Sequence, residues 1–337
     1  MKAKILTLVL CFATLLAFAE NRNDINASYK YTKKRTIDAN FPVDEDYKLA
    51  LTGKYSDYKI STWDEDYVSF HVEMIAKANK EENAEDMLYA IDIDFDNIKT
   101  KKMIKAQTNI KKNSIKNVSF QITYYVMMPQ YIAISIYNQY GDVQIDKLSK
   151  DSYIELQYGD LDVDEIAGYA EIEVDYGDIN IKKAESITAC VNYGDLDVGD
   201  IAKAIIKMNY GGTKLDNVSF LNGEFNYSDI AIGNIARTAD ININYGDLEI
   251  NSMDEDFEQI KIQTNYSDME LLLDETMTFS YDITLLYGDI KSDMLEKHAR
   301  KITEKNYQTH MSGDINDEER RHCIIINGNY SDVMTKN

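Results

Sequence analysis

The chain has 337 residues and a formal net charge of −22, from 36 lysines and arginines against 58 aspartates and glutamates. Phosphate backbones and anionic lipid headgroups are bound through Lys and Arg, so this composition argues against nucleic acids and acidic membranes as partners. Tyrosine is abundant at 25 residues, whereas proline occurs only twice.

Residues 1–19 have the features of a signal peptide. Two lysines begin the chain, the apolar stretch "ILTLVLCFATLLAFA" follows, and Ala17-Phe18-Ala19 fits an A-x-A cleavage site. No later stretch is apolar for 18 or more residues, so we expect a protein that is not integral to the membrane. We predict an exported chain, located in the periplasm, on the outer-membrane surface or outside the cell.

Residues 20–135 fit a repeat poorly, and we predict an N-terminal cap with irregular first coils. The stretch "GKYSDYKISTW" at 53–63 resembles one coil, and the "VEMIAKA" that follows it resembles a strand. Ala84, Met87, Leu88 and Ile91 recur at helical spacing, which predicts an amphipathic helix of about three turns. Open coil ends need such a cap because they expose unpaired strands.

Residues 136–337 contain a repeated motif, seen as "NYGDLDV" from Asn192 to Val198. Successive motif tyrosines are 17 or 18 residues apart up to Tyr245 and 21 residues apart beyond it. A period this steady indicates a repeat architecture. The motif tyrosines of this region are Tyr140, Tyr158, Tyr176, Tyr193, Tyr210, Tyr227, Tyr245, Tyr266 and Tyr287, with further copies at Tyr55 and Tyr330.

Alignment of the coils on their tyrosines shows strand periodicity. Apolar residues lie four and two positions before the tyrosine, as Ile172 and Val174, and three and five positions after it, as Ile179 and Ile181. The phase slips at the Gly-Asp pair, as expected of a bend between two strands. Coils of this length predict an all-β fold, a single-stranded parallel β-helix with about 17–21 residues per coil and a rise of about 4.8 Å.

The residue before each tyrosine is nearly always Asn or Gln, which predicts an asparagine ladder along the stack. The residue after it is Gly or Ser, so we interpret the corner as requiring a small residue rather than a positive φ. The tyrosines share parity with the apolar positions before them, and we expect their rings to point inward with the hydroxyl reaching solvent. Cys190 and Cys323 are expected to lie on different coils, with Cys190 a free thiol on a strand.

Three stretches near the carboxyl terminus follow the last regularly spaced motif tyrosine. We interpret "MSGDI" at 311–315 as a degenerate corner, and "INGNYSDVM" at 326–334 as the coil that closes the array. The charged stretch "LEKHARKITEKNYQ" at 295–308 is expected to form a loop or a short helix.

The aspartates that follow the small residue are the best candidates for a site. Like charges one coil apart repel by about 0.9 kcal/mol in water-like surroundings, so the column needs hydrogen bonds or cations. We expect solvated turn aspartates and no metal or other cofactor, because calcium β-rolls use a nine-residue glycine-rich unit that is absent here. The calcium alternative would use Asp160, Asp178, Asp195, Asp229 and Asp247.

Catalytic signals are weak, and we predict that the protein is not an enzyme. Arg237 is the only arginine in the regular coils, whereas β-helix enzymes that cut acidic polysaccharides place carboxylates beside Arg or Lys on one sheet. The four histidines lack metal spacing, and no nucleophile motif occurs. A polysaccharide-active lyase or glycosidase remains the alternative.

The order of the parts resembles a known family. The "KYSDYKISTWDEDYVSFHVEMIAKA" segment, the "EENAEDMLYAIDIDF" helix and strand, "ITYYVMMP" and then the "YGD" coils resemble the bacterial putative adhesin β-helix proteins of Gram-negative envelopes, of the auto-transporter, head-GIN-like kind. The resemblance implies a right-handed parallel β-helix without established catalysis. Gly212, which replaces the corner aspartate, and the irregular coils after Tyr287 depart from the pattern.

We therefore expect an adhesin-like binding or structural module of the cell envelope. Its partner would be an extracellular or envelope ligand, a glycan or a protein. The outer faces would present the polar residues Asp162, Asn180, Asp197, Glu249 and Glu270. End-to-end assembly of the coils is a third reading, kept beside the enzyme alternative.

Overall fold

A computed structural model describes residues 29–111, 117–273, 275–316 and 321–336, and the predicted signal peptide lies outside them. The described chain is nearly all strand, with two short α-helices, α1 (Glu81–Ala90) and α2 (Asp293–Lys297), and a 3₁₀ turn at Lys99–Lys101. The predicted all-β class is confirmed. Neither α-helix is long enough to cross a membrane.

The strands up to the regular coils are β1 (Tyr31–Pro42), β2 (Lys48–Lys54), β3 (Ser56–Trp63), β4 (Tyr67–Ala78), β5 (Ile91–Ile98), β6 (Met103–Ile110), β7 (Val118–Pro129), β8 (Ala133–Gln139) and β9 (Val143–Leu148). Those that follow are β10 (Ser152–Gln157), β11 (Leu161–Asp175), β12 (Ile179–Asn192), β13 (Leu196–Asn244), β14 (Leu248–Ile250), β15 (Gln259–Asn265) and β16 (Met269–Leu272). The last are β17 (Phe279–Leu286), β18 (Ile290–Lys291), β19 (Ala299–Lys305), β20 (Gln308–Ile315), β21 (Cys323–Asn329) and β22 (Val333–Lys336).

Each regular coil has two strand segments that meet at a tyrosine corner. Strand β10 pairs in parallel with β8 of the preceding coil and β11 of the following one, so Ile154 lies beside both Ile136 and Ile172. Matching residues of successive coils are therefore direct neighbours. Strand β13 runs without a break through about three coils.

The change from 18 to 17 residues per coil occurs on the side opposite the tyrosine. Between β11 and β12 the pairing is Ile166 with Ala184 before this bend and Tyr169 with Ser186 after it. One residue is lost at the bend, and the tyrosine corner is unchanged. Variable coil length therefore leaves the corner columns in register.

The interior is a continuous apolar core filled by alternate residues of both strand segments. In β11, Leu161, Val163, Ile166, Ile172 and Val174 are all at most 2% exposed, and charged residues alternate with them. Burying side chains of this size stabilises the fold by about 1.5–3 kcal/mol each. A single coil cannot enclose such side chains, so the stack is the folding unit.

The N-terminal end consists of one coil and an antiparallel cap. Strands β2 and β3 form a coil around Tyr55 that pairs in parallel with β8 and β9, as predicted for 53–63. On its other side β6 and β7 pair with it, and β4, β1 and β5 extend the sheet in antiparallel order. Helix α1 buries Ala84, Met87 and Leu88 against this cap, whereas Ile91 begins β5.

The C-terminal end differs from the predicted order. The coil formed by β21 and β22 does not close the array, because it lies between the coil of β15 and β16 and the coil of β17 and β18, both earlier in the chain. The stretch 311–315 is not a corner either, since it lies within β20, antiparallel to β17. The charged stretch at 295–308 begins with the last residues of α2, but most of the rest forms the edge strand β19 rather than a loop. This charged antiparallel edge disfavours end-to-end pairing.

Candidate binding surface

The corner tyrosines adopt the left-handed backbone conformation. Their φ values lie between 53° and 61°, a region that costs a residue other than glycine roughly 1–2 kcal/mol. The described glycines beside them all have negative φ. The left-handed residue is therefore the tyrosine. The left-handed conformation is shared by Tyr55, Tyr140, Tyr158, Tyr176, Tyr193, Tyr210, Tyr227, Tyr245, Tyr266, Tyr287 and Tyr330.

Close packing between coils favours a glycine at this position. A Cβ added to a corner glycine would lie 1.9–2.2 Å from a backbone carbonyl oxygen of the neighbouring coil, well inside van der Waals contact. Where serine replaces glycine, as at Ser228 and Ser331, its hydroxyl donates to the carbonyl of the residue two positions before it, at 2.9 and 3.0 Å. The interpretation that small size rather than positive φ selects this position is confirmed.

The tyrosine rings point outward, so the inward orientation expected from parity is wrong. The left-handed residue breaks the strict alternation of side chains and turns the ring away from the core. The corner rings are 42–51% exposed and stack on one another, with centroid separations of 4.7–5.0 Å. Tyr330 stacks between Tyr266 and Tyr287, and Tyr307 extends the stack beyond Tyr287 at 5.2 Å.

The predicted asparagine ladder is present beside this stack. Asn209 donates its Nδ2 to Oδ1 of Asn192 at 2.8 Å and accepts from Nδ2 of Asn226 at 3.1 Å. The ladder continues through Asn244 and Asn265 to Asn329 of the inserted coil. Each amide from Asn192 to Asn265 both donates and accepts, so this part of the column is satisfied along the stack.

The aspartate column is satisfied by backbone donors. The N–H of Asp178 donates to Oδ1 of Asp160 at 3.0 Å, and the N–H of Asp195 donates to Oδ1 of Asp178 at 2.8 Å. Gly212 lacks the carboxylate but still donates to Asp195 at 2.7 Å. These bonds explain how like charges are tolerated one coil apart. The same pattern recurs for Asp229, Asp247, Asp268, Asp332 and Asp289.

The same acids do not form a cluster with metal-ligand geometry in the part of the chain that the structure describes. Within residues 29–111, 117–273, 275–316 and 321–336, no three His, Cys, Asp or Glu side chains converge to hold a metal ion. His71 contacts Asp38 and His310 contacts Asp282, at distant positions in the fold. Cys190 and Cys323, the two cysteines among the described residues, are free and lie on different coils, as predicted.

The outward column predicted to face a partner lies two residues after the corner aspartates. Asp162, Asn180 and Asp197 are neighbours on successive coils, and Glu249 and Glu270 continue the column. Lys214 interrupts it and contacts Asp197 and Asp216. At Gly212 and Ala231 the small residues leave a shallow groove of about 620 Å³, and seven of its sixteen lining residues are acids.

The sequence did not reveal a second groove, on the face that carries the asparagine ladder. We call it the amide groove, of about 380 Å³. Its walls come from three adjacent coils and the β19–β20 turn, and insertion of the last coil brings Asn327 beside Gln263 and Thr284. The lining residues are Gln263, Thr264, Asn265, Thr284, Leu286, Asn306, Gln308, Asn327, Gly328 and Asn329.

Comparison with known proteins gives one family match. Residues 183–319 match the family model described as Toastrack DUF4097. This match covers less than half of the chain and supports a β-solenoid. No curated protein matches the chain significantly.

Solved structures with similar features include three described as adhesion proteins. A putative cell adhesion protein from Clostridium sporogenes is 10% identical, with 90% of this chain and 100% of that chain covered and a TM-score of 0.22. A putative adhesin from Bacteroides fragilis is 8% identical, with 90% and 97% covered and a TM-score of 0.27. A putative adhesin from Parabacteroides merdae is 11% identical, with 70% and 92% covered and a TM-score of 0.31. Similarity at this level assigns no activity to the chain.

Proposed function

We propose that this protein is an exported, non-catalytic β-solenoid that acts as an adhesin-like binding or structural module of the cell envelope. The observation that carries the proposal is the corner. Every coil repeats a left-handed tyrosine, a small residue and a hydrogen-bonded polar side chain, which builds a long outer surface of aligned columns. Rigid elements with ordered side chains on their outer face suit recognition of an extended partner.

The coil geometry belongs to the same proposal. We infer a right-handed, single-stranded parallel β-helix over residues 136–337 with irregular last coils, joined to an N-terminal cap with irregular first coils over residues 20–135. The support is the in-register parallel pairing of successive coils and the strong preference of parallel crossovers for the right hand. The narrower kinship with auto-transporter, head-GIN-like adhesins rests on the resemblance in the order of the parts.

The non-catalytic part rests on how the acids are held. The corner carboxylates accept backbone N–H groups. A hydrogen bond from a lysine lowers the pKa of the carboxyl groups of Asp44, Glu275 and Asp332. A glycosidase acid needs the opposite displacement. A glycan-degradation screen tests the enzyme alternative, which would be favoured by bond cleavage that one carboxylate substitution abolishes.

The aspartates are proposed to be solvated turn residues rather than calcium ligands. Their hydrogen bonds to the backbone already offset the repulsion that would otherwise call for a cation. We expect micromolar to millimolar calcium to leave both the melting temperature and the calorimetric heat unchanged. A calcium-dependent rise that disappears in an Asp178→Asn variant would reinstate the calcium alternative.

Export and exposure are tested together in cells. The tagged full-length chain is expected in the envelope or medium, and a variant without residues 1–19 is expected in the cytoplasm. Protease added to intact cells then separates the two sides of the outer membrane. Degradation of the full-length protein supports a surface adhesin, protection leaves a periplasmic role, and a cytoplasmic full-length protein would overturn the proposal.

A further inference from the structure

The amide groove is uncharged in a chain with a net charge of −22. Its ten lining residues are amides, hydroxyl residues, one leucine and one glycine, without an acid or a base. The same face carries Glu155, Glu173 and Lys207 on earlier coils. The neutral groove is therefore a local departure from the surrounding surface, and it depends on the inserted coil.

The groove contains hydrogen-bonding groups that the fold does not use. Asn329 donates Nδ2 to Asn265 at 2.8 Å, but the next coil places Leu286 above it, so the ladder ends with an acceptor that receives no ladder bond. Among the described residues, the side chains of Gln263, Asn327, Asn306 and Gln308 are exposed and make no hydrogen bond within the chain. Several amide donors and acceptors are thus available from adjacent strands.

An open aromatic ring lies at the rim. Asn306 lines the groove, and Tyr307 next to it forms the end of the tyrosine stack. Tyr307 is 77% exposed and stacks on Tyr287 through one face, whereas its other face contacts no further ring among the described residues. Both Asn306 and Tyr307 have positive φ, which fixes the two-residue turn between β19 and β20.

We propose that the amide groove binds a short stretch of a neutral polysaccharide, a ligand class that rests on the proposed binding function. Side-chain amides can donate to and accept from neighbouring sugar hydroxyls, and an open aromatic face can cover the apolar side of a sugar ring. A charged sugar would find no counter-ion in the lining, and the acidic surface repels polyanions. The volume of about 380 Å³ lies at the lower end of the range for ligand pockets.

The test titrates the full-length mature protein with neutral oligosaccharides, using α- and β-linked glucan, mannan and xylan hexamers, and with hexagalacturonate as the anionic probe. Binding is measured by calorimetry and by shifts of side-chain amide resonances. We expect at least one neutral hexamer to bind, with at least tenfold weaker binding of hexagalacturonate. The double variant Gln263→Glu with Asn327→Asp keeps the shape of the groove and is expected to weaken the neutral ligand at least tenfold.

Two further variants separate recognition from folding and from general charge. Tyr307→Ala, at an exposed turn, is expected to weaken the ligand at least fivefold. The matched control, a double variant Asn40→Asp with Ser119→Asp, introduces the same two negative charges at exposed strand positions of the N-terminal cap and is expected to leave affinity unchanged.

Failure of the whole neutral panel would overturn the inference, as would binding that survives both groove variants or an equal loss in the control. If the protein is exported but the groove binds no neutral sugar, the proposed envelope function stands and only the ligand class falls. If the full-length chain stays in the cytoplasm, the envelope function falls whatever the groove binds.

Discussion

The middle coils and the C-terminal coils build the same columns with different chain orders. In the middle, each coil pairs with the next coil along the chain, as β11 does with β12. At the C-terminal end, β21 and β22 fill a gap between two coils that precede them in sequence. The tyrosine stack and the aspartate column nevertheless continue through the inserted coil, and the asparagine ladder continues into it and ends there.

This difference shows that the corner motif, and not chain order, determines the columns. Tyr330 stacks as closely on Tyr266 as Tyr193 does on Tyr176, although far more chain separates the first pair. The coils on both sides depend on the inserted coil, because β15 and β17 both pair with its strand β21. A middle coil can weaken locally, whereas loss of the last coil affects coils on both sides.

The largest effect is expected from a cavity in the inserted coil. Ile326→Ala empties a fully buried position and should destabilise the protein by about 4 kcal/mol. Hydrogen exchange should accelerate both in Gln259–Asn265 and in Phe279–Leu286, because both strands pair with β21. The control Ile206→Ala lies in the same column of a middle coil and should leave Phe279–Leu286 protected. Equal protection of that strand in both variants would contradict the dependence.

Two adjacent glycines test whether close packing between coils selects the small corner residue. Gly211→Ala places a Cβ 1.9 Å from the carbonyl oxygen of Gly194, which should cost about 3 kcal/mol. Gly212→Ala meets nothing closer than 3.4 Å and should be neutral or slightly stabilising. Denaturant unfolding of the two variants measures the difference. Similar midpoints would show that coils can shift apart at the corner.

The asparagine ladder allows its middle to be compared with its end. Asn209→Ala removes a donated and an accepted hydrogen bond and should cost about 2 kcal/mol. Asn329→Ala removes only the donated one and should cost about 1 kcal/mol. Denaturation midpoints relative to the wild type give both values. A larger cost at Asn329 would mean that the end of the ladder is anchored by other contacts.

The smallest effect concerns a pair that joins the inserted coil to its neighbour. Lys291 and the backbone N–H of Asp289 hold the pKa of Asp332 below its usual 3.8. A lowered carboxyl pKa contributes stability that is fully present above the unfolded value and is lost as pH falls through the folded value. The stability difference between wild type and Lys291→Met should therefore be constant near neutral pH and shrink below about pH 3.8. Lys291→Arg should retain the wild-type profile, and an unchanged difference at low pH would contradict the assignment.

Much of the architecture could be predicted because the same residue types recur at the same positions of each coil. The tyrosine spacing gave the coil length, the Asn column gave the ladder and the Gly/Ser choice gave the tight corner. The ring direction of Tyr193 could not be predicted, because parity arguments assume continuous strand geometry and fail at a left-handed residue.

The position of the last coil in the array could not be predicted from the sequence either. "INGNYSDVM" carries the same motif whichever coils lie beside it, so local sequence does not specify its neighbours. The amide groove was missed for the same reason, since Gln263 and Asn327 become neighbours only through the insertion.

Disulfide trapping at Cys323 tests the inserted coil most directly. Cys323 pairs with Gln259 on one side and with Ser280 on the other, and adjacent strands lie within disulfide reach. Under mild oxidation, Gln259→Cys and Ser280→Cys variants should each form an intramolecular disulfide with Cys323, and Cys323→Ser should abolish both. Trapping from Ser280→Cys alone, with none from Gln259→Cys, would place the last coil at the end of the array and contradict continuous columns through an inserted coil.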